Sequence, residues 1–256
     1  MSSAMAASAV VPPLRAGECQ VWWARPAAGR RSLLALLDAG ERGRCARFHR
    51  DADRARYLAA HALARLVLAG HLGIPAPALS FRATCRQCGA SDHGKPRLRI
   101  AGAGLEFSLS HSGARVVLAV ARDAPVGVDV ERLNAERDFA ALVPAVLSAA
   151  EQPAVAALPA AERAGAVLRY WTRKEALLKA TGDGLGVAPA ALTVTPPDVP
   201  PALVAWEAAP PLDAAAHLFD LSPGPGHVAS LAVLGPRLAV VERDGDPLLA
   251  ALSATG

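Results

Sequence analysis

Residues 53–73 read DRARYLAAHALARLVLAGHLG and residues 169–182 read RYWTRKEALLKATG, and the relation between these two stretches decides the fold. The first is apolar at helical spacing, opened by Asp53 as N-cap and closed near Gly70 or Gly73. The second continues a helical pattern over 163–182, stopped by Gly182 and Gly184. Each holds an Arg-Tyr pair, Arg56-Tyr57 and Arg169-Tyr170, at an offset of 113, and these are the chain's two tyrosines. The same offset carries Leu72-Gly73-Ile74 onto Leu185-Gly186-Val187, Ala78-Leu79 onto Ala191-Leu192, and Leu118-Ala119-Val120 onto Leu231-Ala232-Val233. Phe107, Leu109 and Ser110 recur as Phe219, Leu221 and Ser222, offset by 112. The order helix, strand, strand is kept throughout, which predicts a duplication. The expected fold is α+β: a pseudo-two-fold pair of similar halves, 1–124 and 125–256, each a helix packed on a short antiparallel sheet. Strands are expected at 106–110 and 115–121 around the turn His111-Ser112-Gly113, and at 217–221 and 227–234 around Ser222 to Gly226. A pair of related halves creates a crevice at its own interface, a common place for a ligand.

Composition narrows the class. Of 256 residues, 52% are apolar and 20% charged, which excludes a disordered or fibrous chain. MSSAMAASAVVPP has no basic n-region, and the longest apolar candidate, Leu58 to Leu72, is interrupted by His61, Arg65 and His71. Four cysteines do not make a disulfide framework. A cytoplasmic protein with no membrane contact is expected. The net charge of +4 conceals a split: residues 1–123 carry 18 basic against 8 acidic side chains, residues 124–256 carry 9 against 15. That asymmetry fits an anionic ligand held by the first half, opposite an acidic metal site in the second. Among the 27 basic residues only Lys95, Lys174 and Lys179 are lysines, the rest arginines, so each lysine marks a place that arginine does not serve.

Two segments carry candidate chemistry. In Val126-Gly127-Val128-Asp129-Val130-Glu131 the β alternation puts Asp129 and Glu131 on one face and Val128 and Val130 on the other. Paired carboxylates repel unless a cation sits between them, and hard oxygen ligands suit Mg²⁺ beside substrate phosphates; two solvated surface acids are the plain alternative. In Trp171 to Lys179, Glu175 and Lys179 are i,i+4 neighbours on a helix, which by itself describes an ordinary surface pair. Gly182, Gly184 and Gly186 follow a helix rather than precede one, so they read as a cap and turn and not as a phosphate cradle. Ser108, Ser110, His111 and Ser112 cluster at a turn; anion contact fits them better than a nucleophilic pair, which adjacency in sequence does not orient. Cys85-Arg-Gln-Cys88 with His93 could supply part of a zinc site, though a closed site needs four ligands, and two reduced thiols in a turn are the simpler expectation.

HGKP (93–96), FSLSHSG (107–113), GVDVE (127–131) and WTRKEALLK (171–179), in that order, resemble the signature blocks of the Sfp-type 4′-phosphopantetheinyl transferases, over roughly residues 40–235. The resemblance implies a pseudo-two-fold α+β chain with coenzyme A in the crevice between halves. It implies Mg²⁺-dependent transfer of 4′-phosphopantetheine to a serine of an apo acyl or peptidyl carrier protein, by a monomer. Asp129, Glu131 and Glu175 would hold the metal, with Asp129, Glu175 and Lys179 catalytic; Glu175 would be or position the base, and Lys179 would contact the diphosphate. Arg56 and His111 would meet the 3′-phosphate, with Lys95, Pro96 and Ser110 around the adenine. Lys174 falls inside the motif without an assigned role. Two other readings compete: a non-catalytic basic module that binds nucleic acid or regulates, which finds few aromatic stacking residues and no recognition motif here, and another Mg²⁺-dependent phosphotransferase using a nucleotide.

Overall fold

The computed structural model describes residues 10–26, 31–84, 88–90, 94–100, 102–134, 138–208, 211–212 and 214–251. The first half opens with strand β1 (Glu18–Ala24), short helices α1 (Arg31–Leu34) and α2 (Ala39–Ala46), and the long helix α3 (Asp51–Leu72). A small ribbon follows, β2 (Phe81–Ala83) with β3 (Pro96–Leu98), and then the hairpin β4 (Leu105–Ser112) and β5 (Arg115–Arg122). The second half repeats this order with β6 (Val126–Arg132), α4 (Val143–Val146), α5 (Gln152–Ala156) and the long helix α6 (Ala160–Thr181). Its ribbon is β7 (Leu192–Val194) with β8 (Leu203–Trp206), and its hairpin is β9 (Ala216–Asp220) and β10 (His227–Leu234). In each half the opening strand returns to pair antiparallel with the last strand of the hairpin, giving the orders β1-β5-β4 and β6-β10-β9. The α+β duplication expected from sequence is therefore present as a repeated topology.

The last elements cross back. β11 (Ala239–Asp244) pairs parallel with β1, and Leu248 and Leu249 of α7 (Asp246–Ala251) are buried in the core under α3. The first sheet thus reads β11-β1-β5-β4.

Four layers result: α3, first sheet, second sheet, α6. Val116, Leu118 and Val120 of β5 face α3, while Val117, Ala119 and Ala121 meet Val128, Val130 and Leu231 between the sheets. This explains why β5 (RVVLAVAR) is a continuous apolar run rather than an alternating one: both its faces are covered. Each such valine stabilises the fold by about 1.5–3 kcal/mol relative to exposure.

Several local expectations shift. α3 begins at Asp51, two residues before Asp53, and its N-cap is Arg50 without a side-chain cap; Asp51 and Asp53 lie in the first turn, where negative charge suits the helix dipole. β4 runs through His111 and Ser112, so the hairpin turn is Gly113-Ala114. Gly73 and Gly182 close the long helices in the left-handed conformation, as expected.

The residue matches that revealed the duplication are themselves out of register. Phe107 and Leu118 face α3, whereas their sequence partners Phe219 and Leu231 face the layer between the sheets. In a strand a shift of one residue reverses the face, so those identities are not equivalent positions. Tyr57 is the seventh residue of α3 and Tyr170 the eleventh of α6, one helical turn apart. A four-residue slip preserves a helical face, so the tyrosines aligned by periodicity alone.

A better correspondence is internal to the core. Arg65 and Lys174 are each the fifteenth residue of their 22-residue helices, and each is fully buried against a glutamate, Glu41 and Glu151. Those glutamates end similar segments, Leu37-Asp38-Ala39-Gly40-Glu41 and Leu147-Ser148-Ala149-Ala150-Glu151. In both, the glutamate side chain accepts the amide three residues earlier, Asp38 N at 3.0 Å and Ser148 N at 2.8 Å. This gives Lys174 its role. Its ammonium pairs with Glu151 and donates to Val146 O at 2.7 Å, while Glu151 also accepts Val194 N at 2.8 Å, tying α6 to α4 and β7. Burial pulls the Lys174 pKa down, and the Glu151 partner opposes that fall.

Candidate active site

β6 is the edge of the second sheet, and α6 crosses it directly. The crossing is close because residue 127 is glycine: a Cβ there would run into the carbonyl oxygen of Ala176 and the amide of Ala180. At this crossing Asp129 and Glu131 point from β6 toward α6, and Val128 and Val130 point to the inter-sheet core, as the alternation predicts.

Lys179 does not close the helical pair with Glu175 that its spacing suggests. It reaches across to β6, donating to Asp129 Oδ1 at 2.7 Å, Ser110 Oγ at 3.0 Å and Val128 O at 3.2 Å. Asp129 is only 4% exposed, and its Oδ2 is buried with no hydrogen-bond partner among the described residues. Glu175 lies beside this pair. Burial, then the negative charges of Asp129 and Glu131, push its pKa above the usual carboxylate range, with Lys179 pulling the other way. An acidic cluster whose buried oxygen lacks a donor is short of positive charge, and its hard oxygen donors fit a divalent cation. Among the described residues, no three His, Cys, Asp or Glu side chains are already drawn together around one point. In this arrangement the Lys179 ammonium serves as the counter-charge to Asp129.

The first half approaches through β4, whose side chains meet the β6 edge. Ser110, which the resemblance places near adenine, donates to Asp129 Oδ1 at 2.9 Å. His111 lies at the exposed end of β4. The protein packed around its ring, then the cations of Lys179 and Arg56, hold its pKa below the usual imidazole value. Arg56 donates to Gly113 O at 3.3 Å in the hairpin turn and pairs with Asp53. The cations of Arg56 and Lys179 are thus both near enough to act on the His111 ring.

Lys95 takes a different part. Its ammonium donates to Val126 O at 3.0 Å and to Ala180 O at 3.2 Å in the last turn of α6, with Glu106 at 3.4 Å. It clamps the first half onto the C-terminal end of α6, where a cation suits the helix dipole. Burial lowers its pKa, against the pull of Glu106.

Pro96, exposed at the start of β3, borders a cleft of about 450 Å³ in the first half. Phe81, Phe107 and Leu109 supply its apolar surface, Arg44, His61, Arg82 and Arg99 its basic one, and Asp38 and Glu41 two carboxylates beside them, the latter paired with His61. An aromatic ring with a phosphate fits such a mixture. Sequence reasoning missed Arg44, Arg99 and His61, since single arginines among 24 carry no signal. It also missed Glu151, which the repeat of Leu-x-Ala-x-Glu at an offset of 110 could have revealed. Cys85 and His93 lie outside the described residues; Cys88 is exposed.

Comparison with known proteins identifies the family. The family described as the 4′-phosphopantetheinyl transferase superfamily matches residues 125–231, and the one described as 4′-phosphopantetheinyl transferase, N-terminal, matches residues 22–123. The 4′-phosphopantetheinyl transferase HetI of Nostoc sp. is 33% identical over 216 residues, covering 82% of this chain and 84% of its own. A 4′-phosphopantetheinyl transferase of Bacillus subtilis is 28% identical over 60% of this chain and 64% of its own. Among solved structures, a holo-(acyl-carrier-protein) synthase from Bacillus anthracis str. Ames in complex with CoA (3′,5′-ADP) matches 43% of this chain and 94% of its own, with a TM-score of 0.37 and 22% identity. With both halves matched by models of one activity and a relative this similar over most of its length, the chain belongs to the 4′-phosphopantetheinyl transferase superfamily.

Proposed function

We propose that this chain transfers 4′-phosphopantetheine from coenzyme A to a serine of an apo acyl or peptidyl carrier protein, in a Mg²⁺-dependent reaction that releases adenosine 3′,5′-bisphosphate. The observation that carries the reading is the buried Asp129 Oδ2, without a donor among the described residues, on a carboxylate that pairs with Lys179 and whose charge reaches Glu175.

The carrier serine oxygen attacks the phosphorus bearing pantetheine; that oxygen–phosphorus bond forms as the bond to the bridging diphosphate oxygen breaks. The electron pair leaves with the bisphosphate, and the serine proton passes to a base. Glu175 would act as, or position, the base: burial and its two acidic neighbours raise its proton affinity while no cation is held, and a cation on the same carboxylates would lower it. Lys179 suits the diphosphate because its ammonium is already held at the cluster and its stem is part-exposed. Arg56 and His111 line the side from which a 3′-phosphate would be met, and the cleft edged by Pro96 would take the adenine. Asp129, Glu131 and Glu175 would hold Mg²⁺, which supplies charge neutralisation at the diphosphate when bound. In this reading the segment 1–124 addresses the nucleotide and the segment 125–256 brings the carboxylates. In this reading the enzyme acts as a monomer in the cytoplasm; among the described residues no helix is long and apolar enough to cross a membrane, and Cys19 and Cys45 are buried free thiols.

The test is the mass of an apo carrier protein incubated with enzyme, coenzyme A and Mg²⁺. One phosphopantetheine should be gained, and lost on omitting either reagent. Gain of a phosphate with ATP in place of coenzyme A would overturn the substrate assignment.

A further inference from the structure

β4 and β6 are the facing edges of the two sheets, yet they do not pair through their backbones; among the described residues, three serines of β4 take that place. Ser108 Oγ accepts Val128 N at 3.0 Å, Ser110 Oγ accepts Val130 N at 3.4 Å, and Ser112 Oγ accepts Arg132 N at 3.1 Å. A hydroxyl has one proton to donate, and that of Ser110 goes to Asp129 Oδ1 at 2.9 Å because Lys179 Nζ and Val130 N already donate to its oxygen. That of Ser112 goes to Glu131 Oε2 at 3.0 Å. The amide that each serine accepts lies twenty positions on, and the carboxylates that Ser110 and Ser112 engage lie nineteen on, where the residue corresponding to Ser108 is Gly127. The two upper rungs therefore each engage one oxygen of a carboxylate, and the lowest has none opposite it in that position. At Asp129 the other oxygen is left buried without a donor.

We propose that Ser110 and Ser112 are positioning residues for the carboxylates of Asp129 and Glu131, so that the first half sets the cation affinity of the second. Anchoring one carboxylate oxygen fixes the rotamer that presents the other, and outer partners of this kind change metal affinity by about 10–100-fold when removed. The proposal rests on the reading that these carboxylates hold a divalent cation, and Ser108 supplies the control. Its hydroxyl makes the same amide contact but serves no carboxylate.

The experiment titrates the full-length chain with Mn²⁺, followed by electron paramagnetic resonance of the free ion, alongside thermal melting. Ser112→Ala should raise the Mn²⁺ dissociation constant about tenfold or more, and Ser112→Thr, which keeps the hydroxyl, should restore it. Ser108→Ala should lower the melting temperature as Ser112→Ala does while leaving Mn²⁺ affinity within about twofold, well below the outer-partner range. Equal loss of affinity in both alanine variants would overturn the proposal and make the ladder merely structural. So would wild-type affinity in Ser112→Ala. Should the alanine variants fail to fold, Ser112→Cys replaces the strong donor by a weak one, and unchanged affinity there overturns the proposal too. A wild-type chain that binds no Mn²⁺ removes the cation reading itself and this proposal with it, an outcome distinct from the others.

Discussion

The crossing of α6 over β6 and the crossing of α3 over β1 hold corresponding places in the two halves, yet the proposed site sits only at the first. In the first half the space between helix and strand is filled. Leu14 is buried there, Val11 packs against Gly70, and the carbonyls of Pro12 and Pro13 accept the Gln20 amide. Gln20 donates in turn to Glu18, and Trp22 donates to Gln20, so the polar groups on that face of β1 satisfy one another. In the second half Gly127 lets the helix backbone touch the strand, and Asp129, Glu175 and Lys179 come together with a carboxylate oxygen that has no donor among the described residues. A duplicated crossing becomes a site where its filling is withheld.

The largest effect should come from what the halves share. Lys174→Met, which leaves Glu151 buried without its partner, should destabilise by about 3–5 kcal/mol in urea unfolding. Arg65→Met should do the same through Glu41, and adding Glu151→Leu to Lys174→Met should recover most of the loss. Should Lys174→Met reduce transfer while stability is kept, the likeness between the two pairs fails.

Next comes what they do not share. Asp129→Asn keeps the shape and removes the charge, and transfer to carrier protein should fall by about 10²–10³, equivalent to about 2.7–4 kcal/mol. Gln20→Met at the other crossing should leave kcat within about twofold, far from that range, measured at equal folded fraction.

Gly127→Ala tests the closeness of the second crossing. Its Cβ meets helix backbone rather than a flexible side chain, so the helix must shift, at about 1–3 kcal/mol. The melting temperature should drop by several degrees, and transfer should fall with it. Unchanged activity would mean that the carboxylates do not depend on the helix position.

The smallest effects are in pH, with opposite signs. Glu175 binds its proton more tightly folded than unfolded, so its charged form opposes folding above its folded pKa and acid relieves the opposition. Glu175→Gln should therefore raise the melting temperature at neutral pH, by less as the pH falls, while transfer is lost. His71, in the first half, is held neutral by burial, its pKa lowered from 6.5 to about 4. Below pH 6.5 the unfolded chain takes up a proton that the folded one refuses until about pH 4, so acid destabilises through His71, and His71→Leu should flatten that limb.

Much of this was legible in the sequence, for reasons that differ by element. The β alternation placed Asp129 and Glu131 correctly because one face of β6 must be apolar to meet the other sheet. The helix stops at Gly73 and Gly182 were legible because a left-handed cap admits few other residues. Register was not. Alanine, leucine and valine repeat too often for identities to fix a phase, and a one-residue error in a strand reverses the face. Direction was also hidden: spacing offers Lys179 to Glu175, but only the tertiary approach of β6 reveals Asp129 as its partner. Lys95 and Ser110 likewise belong to contacts between halves, which no local pattern encodes.

The return of β11 to the first sheet has a consequence for how the protein is made. A ribosome delivers β1 long before its neighbour β11, with Leu248 and Leu249 of α7 later still. The second half can pair β6, β10 and β9 as soon as residue 234 has emerged, whereas the first must wait with one flank of β1 bare. The part synthesised earliest is thus completed last, and the serine edge that faces Asp129 and Glu131 belongs to that late-finishing half. Completion of the half that carries this edge is tied to the emergence of β11 and α7 rather than to the appearance of its own residues.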